Sequence, residues 1–270
     1  MDYTGGRPDL PGIPVRGVGG ILQAGFELYQ KYWKELMAIA AVVIVPVTLV
    51  EYFLLHQLAA KAELVTRNGH ITLVVSNGFW RREIALVLFS LLTVLIYQVL
   101  TGAITRAVAS DTVGTPLSTE DSYRFAMARL GPIIVVGILA ALAALAGFIL
   151  FIIPGIWIAV RLSVSTPALI VENKQGSMAL RRSWDLVRGR WWQVFGTFLV
   201  AGIIAGLVSS VLTLPFGHNW FLRSIGAMIG SIVTLPFSTS VLVLIYLDLR
   251  ARKENLDVAT LKSELEASGV

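Results

Sequence analysis

Apolar residues gather into six long runs, at Leu36–Leu55, Ile84–Ile104, Ile133–Ile153, Ile156–Val171, Val194–Phe216 and Ser224–Leu247. The second, third, fifth and sixth contain no Asp, Glu, Lys or Arg. Five have the length of about 20 residues that crosses roughly 30 Å of hydrocarbon. The fourth is shorter, and either borrows flanking residues or thins the bilayer locally. The pattern predicts an all-α integral membrane protein with six transmembrane helices arranged as three hairpins. The first hairpin has a long outer loop, Leu55–Glu83, the second turns at Pro154-Gly155, and the third turns at Gly217-His218-Asn219-Trp220. The chain then divides into a flexible cytoplasmic arm (residues 1–20), a membrane domain (21–250) and a cytoplasmic tail (251–270).

A second pattern precedes the spans. Leu180, Trp184, Val187, Trp191 and Val194 fall on one helical face, with Arg181, Arg182, Asp185 and Arg188 mostly on the other. Leu22, Phe26, Tyr29, Trp33 and Leu36 repeat the spacing, and Tyr123, Ala126, Leu130 and Ile133 repeat it more weakly within Thr119–Ile133. Each hairpin is therefore expected to follow a cytoplasmic interfacial amphipathic helix, which makes the chain three copies of one unit. Trp and Tyr prefer the headgroup layer, and Arg can reach phosphates while its stem lies on apolar surface. Arg181, Arg182, Trp184, Arg188, Arg190, Trp191 and Trp192 are the candidate lipid-headgroup residues. The plainer alternative is that these helices only set the depth and tilt of the hairpins.

Composition agrees. The 270 residues are 56% hydrophobic and 14% charged, against roughly 25% charged in soluble domains, too few to cover a large soluble core. Basic residues crowd the segments that lie inside if the N-terminus is inside: Arg7, Arg16, Lys31 and Lys34, then Arg106, Arg124 and Arg129, then Lys174, Arg181, Arg182, Arg188 and Arg190, and finally Arg250, Arg252, Lys253 and Lys262. The outer segments hold only Lys61, Arg67, Arg81, Arg82 and Arg223. This bias places both termini in the cytoplasm of a bacterial-type plasma (inner) membrane. The pI of about 9.6 fits attraction to an anionic leaflet. No basic patch interleaved with aromatics lies away from a span, so nucleic acid is not an expected partner. The expected partners are the lipid bilayer, its anionic lipids, and a membrane-protein partner or a second copy of the chain. With no cysteine, disulfides, thiolate chemistry and cysteine-based zinc sites are excluded. Met1–Gly20 lacks the apolar core of a cleavable signal.

Charges within the runs are the other candidates. Glu51 and Arg161 sit at similar predicted depth below the outer boundary, and an intramembrane ionisable residue invites a named partner. They form a candidate ion pair, the alternative being an Arg161 that snorkels alone. Arg161, Ser165, Ala168 and Glu172 would line one face of helix four, while Gly202, Gly206 and Ser210 on helix five, and Ala227, Ser231, Thr234 and Ser238 on helix six, form small-residue faces suited to close packing or to a polar crevice. Pro46, Pro167 and Pro236 are expected to kink helices one, four and six. No phosphate loop, nucleophile elbow or paired carboxylates occur. A metal site from His56, His70 and His218 with Glu51 or Glu63 has no supporting spacing. No cofactor and no enzymatic activity are expected.

Several stretches carry a family resemblance. Pro11-Gly12-Ile13-Pro14-Val15-Arg16 with Ile21-Leu22-Gln23-Ala24-Gly25-Phe26, then Ile153-Pro154-Gly155-Ile156-Trp157 and Pro167-Ala168-Leu169-Ile170-Val171-Glu172, resemble the bacterial glycerophosphoryl diester phosphodiesterase membrane domain. So do Ala179-Leu180-Arg181-Arg182-Ser183-Trp184-Asp185-Leu186-Val187-Arg188-Gly189 and Tyr246-Leu247-Asp248-Leu249-Arg250-Ala251-Arg252. The catalytic barrel fused to that domain in some members has no counterpart here. The resemblance implies a multi-pass inner-membrane protein and carries no phosphodiesterase activity over. The expected function is a non-enzymatic membrane module engaging anionic lipids or a partner membrane protein. The alternative is a small-solute or lipid transporter with a polar path near Arg161.

Overall fold

The structure, a computed structural model, describes residues 12–57, 62–67, 70–75, 79–115, 118–216 and 220–268. Ten α-helices run in the order α1 (Val18–Gln57), α2 (Phe79–Thr112), α3 (Thr119–Ala128), α4 (Leu130–Leu150), α5 (Ile152–Leu162), α6 (Ser165–Glu172), α7 (Ser177–Val187), α8 (Trp191–Thr213), α9 (Trp220–Glu254) and α10 (Val258–Ala267). The long segment between α1 and α2 holds a small antiparallel hairpin, β1 (Ala62–Arg67) with β2 (His70–Val75), in which Arg67 pairs with His70. Six helices, counting α5 and α6 as one, are long and apolar enough to span a membrane.

Burial is uneven along these helices. The second half of α9 and the whole stretch Ser165–Val171 of α6 are enclosed. They pack with Leu36, Ile39, Leu100, Ile104, Ile133 and Leu186, all at 2% exposure or less, into one core near the end that carries α3, α7 and α10. Leu88, Leu91 and Leu92 of α2, and Leu199, Ile203 and Leu207 of α8, are exposed. A water-soluble protein would bury such faces, whereas lipid solvates them.

Two of the three segments expected to be amphipathic form separate helices, α3 and α7, but the first is not separate. It continues into α1 through one non-helical residue, Tyr32 (φ −125°, ψ 30°). Arg129 between α3 and α4 (φ −111°, ψ 18°) and Arg190 between α7 and α8 (φ −127°, ψ 17°) adopt nearly the same backbone conformation. In the shared template each lies immediately before the fourth position: Trp33, Leu130 and Trp191. Side chains pin the first two breaks. Tyr32 Oη and Lys31 Nζ donate to Asp111 of α2 at 2.6 and 3.0 Å, and Arg129 donates to Asn173 Oδ1 at 2.7 Å.

Other expectations need correction. Residues 12–17 of the expected flexible arm are tied down: Ile13 is buried, its amide donates to the Leu256 carbonyl, and the Arg16 amide donates to Asp248. The tail forms α10, capped by the Asp257 carboxylate on the Thr260 amide, and buries Leu261 and Leu265. Pro46 and Pro236 lie within α1 and α9 without dividing them. Helix four does break, but at Ser163-Val164, so Pro167 falls in the first turn of α6, where its missing N–H costs no helical bond. Ser183 of α7 bridges that break, donating to the Arg161 carbonyl (2.8 Å) and accepting from the Val164 amide (3.2 Å). The turn between the third and fourth runs is at Phe151, and Pro154-Gly155 belongs to the first turn of α5.

Candidate functional site

Three polar constellations emerge. The first is an ion network joining α6, α7, α9 and α10. Arg182 contacts Glu172 at 2.8 Å and Glu254 at 2.5 Å. Arg250 contacts Glu254 at 3.0 Å and grips Glu264 through both terminal nitrogens at 2.5 and 2.9 Å. Tyr246 Oη, fully buried, donates to Glu172 at 2.8 Å. Burial alone would lower the Arg182 pKa, but its hydrogen bonds to Glu254 and Glu172 prevail and hold it above the ordinary arginine range. Beside this network, buried Asp248 accepts from Arg252 (2.8 Å), Gln193 (3.1 Å) and the Arg16 amide (2.5 Å).

This network corrects two expectations. Arg182 is not a free headgroup ligand, because its charge is consumed by two carboxylates. Glu172 does not share one continuous helix face with Arg161, because α5 ends at Leu162 and α6 begins at Ser165, and Glu172 is held by Arg182 and Tyr246. Ser165 Oγ is buried and satisfied by the Leu162 carbonyl at 2.8 Å.

The second constellation surrounds Arg161. Its guanidinium lies over the rings of Trp157 (4.7 Å) and Trp184 (4.9 Å), which meet edge-to-face at 4.9 Å. It also donates weakly to the Trp184 carbonyl at 3.4 Å. Two indole faces and the carbonyl end of α7 thus serve as its counter-charges. Glu51 is elsewhere. It lies toward the end of α1 that leads to the β-hairpin, beside a cavity of about 200 Å³ also lined by Thr48, Tyr97 and Ser231. The expected Glu51–Arg161 pair is not formed. The side chains of His56, His70, His218 and Glu63, the alternative metal site, are not among those the structure describes. Among the described residues no group of three or more His, Cys, Asp or Glu is placed to hold a metal ion.

The third constellation is the elbow between α7 and α8. Gly189 takes a left-handed conformation (φ 83°) that turns the chain there. Trp191 stacks on Phe195 (4.9 Å, 10° between planes), and Trp192 projects outward, 78% exposed. Arg181, Arg188 and Arg190 are exposed, and none forms an ion pair among the described residues. Of the expected headgroup residues, the elbow therefore presents Arg181, Arg188, Arg190 and Trp192 outward, while Trp184 and Trp191 turn partly inward.

Sequence reasoning missed Tyr246, Asp248, Arg250, Glu254 and Glu264. The i,i+4 spacings Asp248/Arg252 and Arg250/Glu254 were available as a signal.

These features define a helical, multi-pass membrane protein whose polar chemistry is concentrated at one end. Its residues 79–249, more than half of the chain, match the profile of a domain of unknown function (DUF7847), and the chain belongs to that family. No curated protein and no solved structure matches it.

Proposed function

We propose that the protein is a non-enzymatic module of a cell membrane that engages anionic lipids through the face carrying α3, α7 and the α7–α8 elbow, with both termini cytoplasmic. The observation that carries this reading is how the basic residues at that end divide. Arg182, Arg250 and Arg252 are consumed by internal carboxylates. Arg181, Arg188 and Arg190 stay exposed around an outward Trp192, the arrangement that holds a protein at an anionic headgroup layer. The resemblance to the glycerophosphoryl diester phosphodiesterase membrane domain fits a membrane role. The recurrence of one backbone break at Tyr32, Arg129 and Arg190, at one template position, supports the reading of three repeated units. Arg161, on which a transport path would rest, is enclosed by two tryptophans, which favours the module over the transporter.

The test is lipid retention. The protein purified from native membranes should keep anionic phospholipid, quantified by mass spectrometry, and Arg181→Gln/Arg188→Gln/Arg190→Gln should lose that preference over zwitterionic lipid. At about 1 kcal/mol per basic residue the loss is on the order of 100-fold. Equal anionic retention by wild type and triple variant would reject the reading.

A further inference from the structure

The hairpin of α4 and α5 has its turn close to the level at which α8 begins. Trp157 fixes its level. The Trp157 carbonyl accepts from Nε1 of Trp191, the first residue of α8, at 3.3 Å. Ile153, Ile156 and Trp157 face Trp191, Trp192 and Phe195 across one apolar cleft of about 470 Å³. The start of α8 is at the polar end of the molecule: Gln193 donates to Asp248 and to the Arg16 carbonyl, and Lys253 donates to the Arg188 carbonyl. The turn residue Phe151 precedes Trp157 by less than two helical turns, about 9 Å of helix. Even with α5 parallel to α8, the turn would lie only about a third of the way through roughly 30 Å of hydrocarbon. α4, with 21 residues, is about 31 Å long, much longer than the depth of that turn.

The chemistry of the turn agrees. A turn emerging into water beyond the far face would carry polar residues. Here Ile149, Leu150, Phe151, Ile152 and Ile153 are between 68 and 80% exposed, and no polar side chain lies from Gly147 to Ile156. Two backbone bonds close the turn internally, which lowers the cost of placing it in hydrocarbon. The Phe151 amide donates to the Gly147 carbonyl (3.1 Å), and the Gly155 amide donates to the Phe151 carbonyl (3.2 Å). The two glycines let the helices close, since a Cβ on Gly147 would stand 2.9 Å from the Gly155 Cα.

We infer that α4 and α5 form a re-entrant hairpin that enters and leaves on the α7 side, so that four helices cross the membrane: α1, α2, α8 and α9. The hairpin is an interaction surface for the acyl chains of one leaflet, which it enters as a wedge through Leu142, Leu145, Phe148 and the apolar turn. The placement also accounts for Arg161. It sits at the level of the α7–α8 elbow, not deep in hydrocarbon, so its charge is held at the boundary by Trp157 and Trp184. The count of crossings stays even, so the side on which the termini lie does not change.

The chain has no cysteine, which permits a clean proximity test in native membranes. Two double variants at lipid-exposed positions are treated with a short bismaleimide: Ile153→Cys with Trp192→Cys, and Ile153→Cys with Leu214→Cys. Leu214 follows the last residue of α8, at its far end. Cross-linking of the first pair and not the second is expected. A cross-link between residues 153 and 214, or no cross-link between 153 and 192, overturns the inference. Neither result bears on lipid retention at the arginines, so the two readings can fail separately.

Discussion

Removing Arg250 should undo the polar end of the molecule. Its side chain is 5% exposed and contacts Glu254, Glu264 and, at 3.7 Å, Glu172. In Arg250→Met, Glu172 and Glu254 keep Arg182, whereas Glu264 loses its one ionic partner among the described residues. Removing one partner of a buried pair costs roughly 3–5 kcal/mol because the remaining charge is left uncompensated. Glu264 is 27% exposed, which places the cost near the lower bound, about 3 kcal/mol. For a domain of this size that corresponds to a fall of about 6–12 °C in the unfolding midpoint. Tryptophan fluorescence during thermal unfolding in detergent reads the midpoint, and hydrogen exchange reads whether α10 is released first. The second change, Glu264→Leu in the Arg250→Met background, should recover most of the loss, since a buried ion pair replaced by apolar groups is often neutral or stabilising. A midpoint that moves by less than about 2 °C, or a double variant no better than the single one, would refute the view that Arg250 clamps α10 to α9.

Two further changes probe the packing and the boundary. A Cβ placed at Gly155 falls 2.4 Å from the Phe148 ring, so Gly155→Val should destabilise by about 1–3 kcal/mol. Phe148→Ala in the same chain should restore part of that loss, and additive losses would count against the close approach. Burial pushes the Tyr123 phenol, which donates to the Ile39 carbonyl, up to about 12. The unfolded phenol titrates near 10, so this contribution is complete below pH 10 and disappears as the pH rises through 12. Unfolding midpoints measured between pH 9 and 12 should fall more steeply for the wild type than for Tyr123→Phe, and parallel slopes would remove the argument.

The hydrophobic pattern located every apolar helix, because lipid solvation forces runs of that length and leaves no substitute for them. It located the helix α7 but not its enclosed face: Ala179, Ser183, Leu186 and Val187 are buried, while Leu180 and Trp184 of the expected face are only half-buried. It could not separate exposed from consumed charge. Arg181 and Arg182 are neighbours of the same type, yet one faces outward and the other meets Glu172 and Glu254. That difference depends on α9 and α10 arriving from far along the chain. The Glu51–Arg161 pairing failed for a related reason. Depth was assigned by counting residues inward from a presumed outer turn at Pro154-Gly155. The contact between Trp157 and Trp191 puts that turn on the other side of the count.

Length and apolarity decide whether a segment belongs in hydrocarbon, not how it lies there. α4 and α8 have similar lengths, neither carries a charge after its first residue, and each follows a break of nearly the same geometry, at Arg129 and Arg190. What distinguishes them is their far ends. α8 continues through Leu214–Phe216 toward a segment holding His218 and Asn219, polar residues suited to an aqueous face. α4 ends at Phe151, reverses within one residue, and returns through Ile152 and Ile153, with the Phe151 and Gly155 amides paired across the turn. A turn with nothing to offer water is a statement about depth, and it was present in the sequence as the unbroken string Phe148-Ile149-Leu150-Phe151-Ile152-Ile153. The same logic links the shallow hairpin to the exposed arginines. A wedge confined to one leaflet needs an anchor at that leaflet's headgroups, and the exposed Arg190 directly precedes Trp191, which lines the cleft where α5 meets α8.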